Sequence, residues 1–185
     1  MDDDISDENL MLSYRRGDSD AFEVLYQRHK GPLYRFILRQ CGREFVDELF
    51  QDIWLKLINS RTSYQVKAGF RTWLYRIARN RIIDHYRRQN IRPVDNNTDA
   101  LLSVSGADYN QPENRLETMN RHELLISAIA QLPDDQKEAF LLKEEAGLCI
   151  EEIATTTGVT FETAKSRLRY AFTKLRDKLE IIHEH

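Results

Sequence analysis

The chain has 185 residues, 31% of them charged, with only 7 glycines, 4 prolines and a formal net charge of −3, a composition that favours helices over sheet and one or two small domains. No run of 18 apolar residues occurs, and the acidic start MDDDISDENL lacks the basic and apolar segments of a secretory signal, so a cytoplasmic chain without membrane insertion is expected. Cys41, Cys149 and the five histidines stand without ligand spacing, which argues against a disulfide, a zinc site or any other metal.

From Leu10 to about Arg39 apolar residues recur at three and four, through Tyr14, Phe22, Leu25, Tyr26, Leu33, Phe36 and Ile37. This predicts two helices broken around Arg16 to Asp18, with Gly17 ending the first and Asp18 or Ser19 capping the second. Pro32 suggests a kink or a local restart. A helix from about Val46 to Asn59 follows, apolar along Leu49, Phe50, Ile53, Trp54, Leu57 and Ile58, with Asp47, Glu48, Gln51 and Asp52 as an acidic-polar patch on its other side. Polar residues 60–67 break the pattern before a long helix from about Phe70 to Arg88.

Residues 91–115 are rich in Asn, Asp, Ser, Gly and Pro without periodicity, and predict a flexible linker between a first domain at 1–90 and a second at 116–185. The second domain opens with a helix carrying Leu116, Leu124, Leu125, Ala128 and Ile129. Pro133, Asp134 and Asp135 start another in the manner of first-turn proline and acids, and Gly147 closes it. A short helix from about Ile150 to Thr156, a turn at Gly158-Val159-Thr160 and a last helix from Phe161 to about Leu179 complete a helix-turn-helix. The fold expected is all-α, two small helical domains.

Charge is segregated along this order. Residues 59–92 carry nine basic groups against Asp84 alone, and residues 161–178 carry six against two, while the segments around them are acidic. Two basic islands of this kind suit two separate contacts with a polyanion. On the last helix Ala164, Leu168, Ala171, Leu175 and Leu179 form one buried stripe. Glu162, Ser166, Arg169 and Thr173 stand opposite, flanked by Lys165, Tyr170 and Arg176, a face able to read a major groove. The first island interleaves arginines with Tyr64, Phe70, Trp73, Tyr75 and Tyr86, which suits phosphate contact plus base stacking on an unpaired strand. Arg76, Asn80 and Arg87 share one strip of its helix. Phe70, Leu74 and Ile77 share another that reads as core, and Trp73 and Tyr75 fit burial or stacking about equally.

Three segments, DELFQDIWLKLI at 47–58, FRTWLYRIARNRIIDHYRR at 70–88 and the stretch from LPDDQKEAFLLKEEAG at 132 to TAKSRLRYAFTKLR ending at 176, resemble regions 2 and 4 of the extracytoplasmic-function sigma factors in order and spacing. The likeness spans nearly all of residues 10–180. It implies a factor that binds core RNA polymerase and directs promoter-specific initiation by binding, with no catalysis or cofactor of its own and no small-molecule substrate. Asp47, Glu48, Gln51 and Asp52 would dock on the polymerase. Arg61, Ser63, Tyr64, Lys67, Phe70, Trp73, Arg76 and Asn80 would melt the minus-10 element and hold the non-template strand. Glu162, Thr163, Lys165, Ser166, Arg167, Arg169 and Tyr170 would read the minus-35 duplex. An anti-sigma factor is a further implied partner.

The sequence departs from the family pattern where Cys149 replaces the Ser or Thr expected before the first helix of the turn motif, and where Tyr170 and Phe172 replace further arginines. The alternative function is a one-component helix-turn-helix regulator acting without polymerase, but the second domain is too short for both a dimer surface and a ligand pocket. A metal-dependent nuclease would need carboxylates near the first basic helix, where only Asp84 occurs.

Overall fold

The computed structural model describes residues 5–67, 69–88 and 122–183, and those residues contain helices and no strand. The expected linker 91–115 and the helix start at Leu116 lie outside them. In chain order the helices are α1 (Asp7–Arg15), α2 (Ser19–Cys41), α3 (Val46–Asn59), α4 (Phe70–Arg88), α5 (122–130), α6 (Asp134–Glu144), α7 (Ile150–Thr157) and α8 (Phe161–His183), with a single 3-10 turn at Arg61–Ser63.

Local chemistry accounts for most boundaries. Ser6 caps α1 by accepting from the Asn9 amide at 3.3 Å, and Asp18 caps α2 by accepting from the amides of Asp20 and Ala21 at 3.1 and 3.2 Å. Between them Gly17 takes φ +106°, a conformation open to residues without a Cβ. Of the kink or local restart suggested at Pro32, the restart does not occur: α2 runs unbroken from Ser19 to Cys41. Proline removes one amide from the ladder, and burial of Leu33, Phe36 and Ile37 just beyond it outweighs that loss. The last helix likewise passes the expected end at Leu179 and reaches His183.

Helices α1 to α4 bury a common interior of Leu25, Phe36, Ile37, Leu49, Ile53, Leu57, Phe70 and Leu74. On the α2–α3 side, Phe22 and Tyr26 meet Trp54 at centroid separations of 5.8 and 4.9 Å in edge geometry, an arrangement that adds about 0.5–1.5 kcal/mol per pair beyond area burial. Helix α1 then ties this unit to its own far end. Asp7 takes hydrogen bonds from Arg28 at 3.0 Å and contacts His29 at 2.8 Å, and Glu8 accepts from the Phe70 amide at 2.9 Å, supplying the cap that α4 lacks in sequence. Burial alone would raise the Asp7 carboxyl, but the bonds to His29 and Arg28 hold it below 3.8.

Helices α5 to α8 form a second cluster around Ile129, Leu142, Leu148, Ile153, Ala164, Ala171 and Leu175. The two clusters join. Helix α7 packs on α4 and α6 on α2, and the buried residues of both halves form one continuous core. A set of polar contacts rims this junction: Arg35 and Arg39 of α2 both bind Glu145, Arg79 of α4 binds Glu138 at 2.9 Å, and Thr72 donates to Glu152 at 3.1 Å. The pairing residues are distributed across both halves of the chain.

Candidate nucleic-acid interface

Two faces carry the residues singled out from sequence. On the first half, Trp73, Arg76 and Asn80 follow a spacing of three and four along α4, which brings them to one side of the helix. Arg76 and Asn80 are exposed, whereas Trp73 keeps only 9% of its surface open. Its ring is braced from behind by Tyr64 at 5.0 Å and Phe70 at 6.3 Å. An indole held this way can offer an edge to a base without losing further rotamer freedom.

The family resemblance placed Tyr64 and Phe70 with the strand-binding residues, while helix periodicity read Phe70 as core; both are fully buried, so neither ring presents a face outward. Burial is also the main reason the Tyr64 hydroxyl is pushed up to about 12, with Glu8 and Asp7 adding to it. Arg15 donates to the Tyr64 carbonyl at 3.0 Å, which pins the segment between α3 and α4 from the α1 side. Arg61, Ser63 and Lys67 on that segment are exposed, with the Arg61 guanidinium over the Tyr14 ring at 5.7 Å. Tyr75, open between burial and stacking in sequence, is buried at the junction of the halves and donates toward the Glu145 carbonyl at 3.4 Å.

The second face is the outer side of α8. Thr160, read from sequence only as part of the turn, caps the helix by accepting from the Thr163 amide at 3.2 Å. Glu162, Thr163, Lys165, Arg169 and Tyr170 are exposed and Ser166 is half-buried. The Arg169 guanidinium stacks on the Tyr170 ring at 5.1 Å, and the Lys165 ammonium lies over Phe161 at 5.9 Å. Arg167 differs from its neighbours: it reaches back to Asp135 of α6 at 2.5 Å. Phe172, 40% exposed, packs edge-on against Phe140 at 5.4 Å.

The turn that sets α8 on α7 is chemically explicit. Glu152 accepts from the Cys149 amide at 2.8 Å, the acid half of a capping box that survives without a Ser or Thr at its head. Gly158 closes α7 in the left-handed conformation, φ +72°, with its amide on the Ala154 carbonyl at 2.9 Å.

The acidic-polar patch on α3 is split in its bonding. Glu48 and Gln51 are exposed; Asp47 accepts from the Tyr34 hydroxyl at 3.0 Å and Asp52 is paired with Arg81. Leu55, 55% exposed, adds an apolar spot one turn beyond Gln51 that sequence periodicity did not single out. Among the described residues no group of three or more histidine, cysteine, aspartate or glutamate side chains is arranged to hold a metal, and no helix is long and apolar enough to cross a membrane.

Comparison with known proteins matches two family regions along the chain. Sigma-70 region 2 matches residues 25–91 and sigma-70 region 4 matches residues 122–175, together about two thirds of the chain. An ECF RNA polymerase sigma-E factor of Haemophilus influenzae is 28% identical over 188 residues, covering 97% of this chain and 98% of that protein. The sigma-E factor of Escherichia coli K12 is 27% identical over 186 residues, with 97% of each covered. Among solved structures, CnrH in complex with the cytosolic domain of CnrY superposes with a TM-score of 0.67 at 23% identity, over 95% of this chain and 97% of that one. The sigma factor RpoE bound to the anti-sigma factor NepR from Bartonella quintana also gives 0.67, at 21% identity, over 86% and 97%.

Proposed function

Because the chain belongs to the extracytoplasmic-function sigma factors of the sigma-70 family, we propose that it binds core RNA polymerase and directs promoter-specific initiation, with residues 1–90 serving minus-10 melting and polymerase docking and residues 116–185 serving minus-35 reading. The observation that supports this division is the presence of two chemically different faces with exposed polar and cationic side chains, one on each matched region. The α8 face, with Lys165 and Arg169 beside Ser166 and Glu162, suits base edges and phosphates in a major groove. The α4 face, with Arg76 and Asn80 beside a braced Trp73, suits an unstacked base whose backbone is drawn in by Arg61 and Lys67.

Energetically, extruding a base costs a few kcal/mol, and stacking returns about 1–3 kcal/mol per base, so binding alone can shift a promoter toward the open form while the polymerase performs the chemistry. Asp47, Glu48, Gln51 and Asp52, with Leu55 among them, are the surface proposed for the polymerase. An anti-sigma factor is the proposed inhibitory partner, as in the NepR complex of the structural relative.

The deciding experiment is transcription in vitro with core polymerase, this protein and fragmented genomic DNA, followed by sequencing of RNA starts. Starts that share a two-part upstream motif and vanish without the protein are the expected outcome. Starts independent of the protein, together with tight binding to intact duplex without polymerase, would instead establish a one-component regulator.

A further inference from the structure

Resting on the sigma reading above, we infer that Glu8 and Arg15 of α1 are positioning residues for strand capture: they fasten the two ends of the segment between α3 and α4, so that its exposed cations and Trp73 meet an unpaired strand already in place. At the near end, Arg15 donates to the Tyr64 carbonyl at 3.0 Å, and the Arg61 guanidinium lies over the Tyr14 ring at 5.7 Å. At the far end, the Glu8 carboxylate accepts from the Phe70 amide at 2.9 Å. Ser63 and Lys67, both exposed, lie between the fastened residues, and Arg61 is itself one of them.

Each fastening acts on a group that touches Trp73. Tyr64 is fully buried, with its ring 5.0 Å from the indole. Its hydroxyl has no hydrogen-bond partner among the described residues, so packing and the backbone bond from Arg15 hold this residue rather than its own polar atom. The peptide that joins Gly69 to Phe70 is held at both its polar atoms. Its N–H donates to Glu8, and its carbonyl accepts from the Trp73 amide at 3.1 Å, so one rigid unit lies between the carboxylate and the tryptophan backbone.

Helix α1 can serve as a fixed post because it has anchors of its own. Leu10 and Met11 are buried in the core, and Asp7 binds Arg28 and His29 of α2 at 3.0 and 2.8 Å. Removing the Glu8 or Arg15 side chain leaves those anchors intact, so α1 stays while the segment loosens. A loosened segment must be ordered when the strand arrives, and that cost appears as lost affinity and slower opening. Charge alone predicts the opposite sign at Glu8. Taking a carboxylate away near a DNA-binding face strengthens attraction for a polyanion, whereas taking away the acceptor that steadies Trp73 weakens capture.

The test uses the full chain assembled with core polymerase, as wild type, Glu8→Ala, Glu8→Gln, Arg15→Ala and Arg16→Ala. Arg16, exposed and bonded to Ser13 of the same helix, controls for the loss of a cation. Anisotropy reads binding of a fluorescent single strand copied from the non-template side of a start mapped with this protein. Stopped flow reads promoter opening, and competition reads polymerase affinity. Glu8→Ala and Arg15→Ala are expected to weaken strand binding at least about fivefold and to slow opening, with polymerase affinity unchanged. Glu8→Gln, which keeps an acceptor oxygen for the Phe70 amide, recovers most of the loss, and Arg16→Ala stays within about twofold of wild type. Strand binding by Glu8→Ala as tight as wild type overturns the inference, as does an equal loss in Glu8→Gln or a parallel fall in polymerase affinity. If Glu8→Ala does not fold, Arg15→Ala against Arg16→Ala decides, and equal losses in those two overturn it. If no start depends on the protein, the sigma reading falls and the inference with it; if starts are normal and every variant holds the strand alike, the positioning role alone falls.

Discussion

Trp73 shows how much a single side chain owes to those behind it. Truncating it to alanine would leave a void beside Tyr64 and Phe70 at a cost of about 3–5 kcal/mol, enough to unfold a small unit and obscure any role in melting. Trp73→Phe keeps most of the volume. It should leave closed-complex formation intact and slow strand opening several-fold in stopped-flow promoter melting; unchanged kinetics would remove Trp73 from the strand site. Asp7 makes a second argument at this scale. Its pKa is held below the ordinary 3.8, so the stabilisation it gives is present above that value and is lost as pH falls through the depressed one. Asp7→Ala should cost about 1–3 kcal/mol at neutral pH, the size of hydrogen bonds to a charged group. In urea titrations that difference should shrink below about pH 4; a gap constant down to pH 2 would contradict the assignment. Asp7 and Glu8 were invisible as anchors in sequence, because their partners, His29 and the Phe70 amide, are brought near only by the fold.

The helices themselves were largely legible, since each boundary has a local cause: Asp18 and Ser6 as caps, Gly158 as a left-handed stop, apolar residues at three and four. Where expectation failed, a longer-range term won. The restart at Pro32 is overridden by the burial around it, and Tyr64, set among arginines in a basic run, turns inward against Phe70 and Trp73. Function at this scale rests on whole faces. Replacing Lys165, Ser166 and Arg169 together by alanine should lower promoter affinity and reduce the salt slope of binding by about 2, one for each lost cation, with polymerase affinity unchanged; loss of both affinities would make α8 purely structural. Converting Asp47, Glu48 and Asp52 to their amides should weaken polymerase docking by roughly tenfold in a competition assay. Because Asp52 is engaged with Arg81, Glu48→Gln is expected to account for more of that loss than Asp52→Asn.

For the whole molecule, the junction of the halves was the least legible feature. Arg35 and Arg39 pair with a residue more than a hundred positions away, and no periodicity announces such a partner. The shared core predicts that the chain melts as one cooperative unit in calorimetry, whereas Glu145→Gln should separate two transitions; a single transition in both would mean that apolar packing alone couples the halves. Covalent connection adds a property that the junction would not have between separate proteins. Because both halves belong to one chain, their association is intramolecular and does not depend on protein concentration. An affinity too feeble to survive dilution as a complex is then sufficient for self-association within one molecule. Its occupancy would be the same at one copy per cell as at thousands, and cleavage of the tether, with no change at the interface itself, would release the two halves from each other.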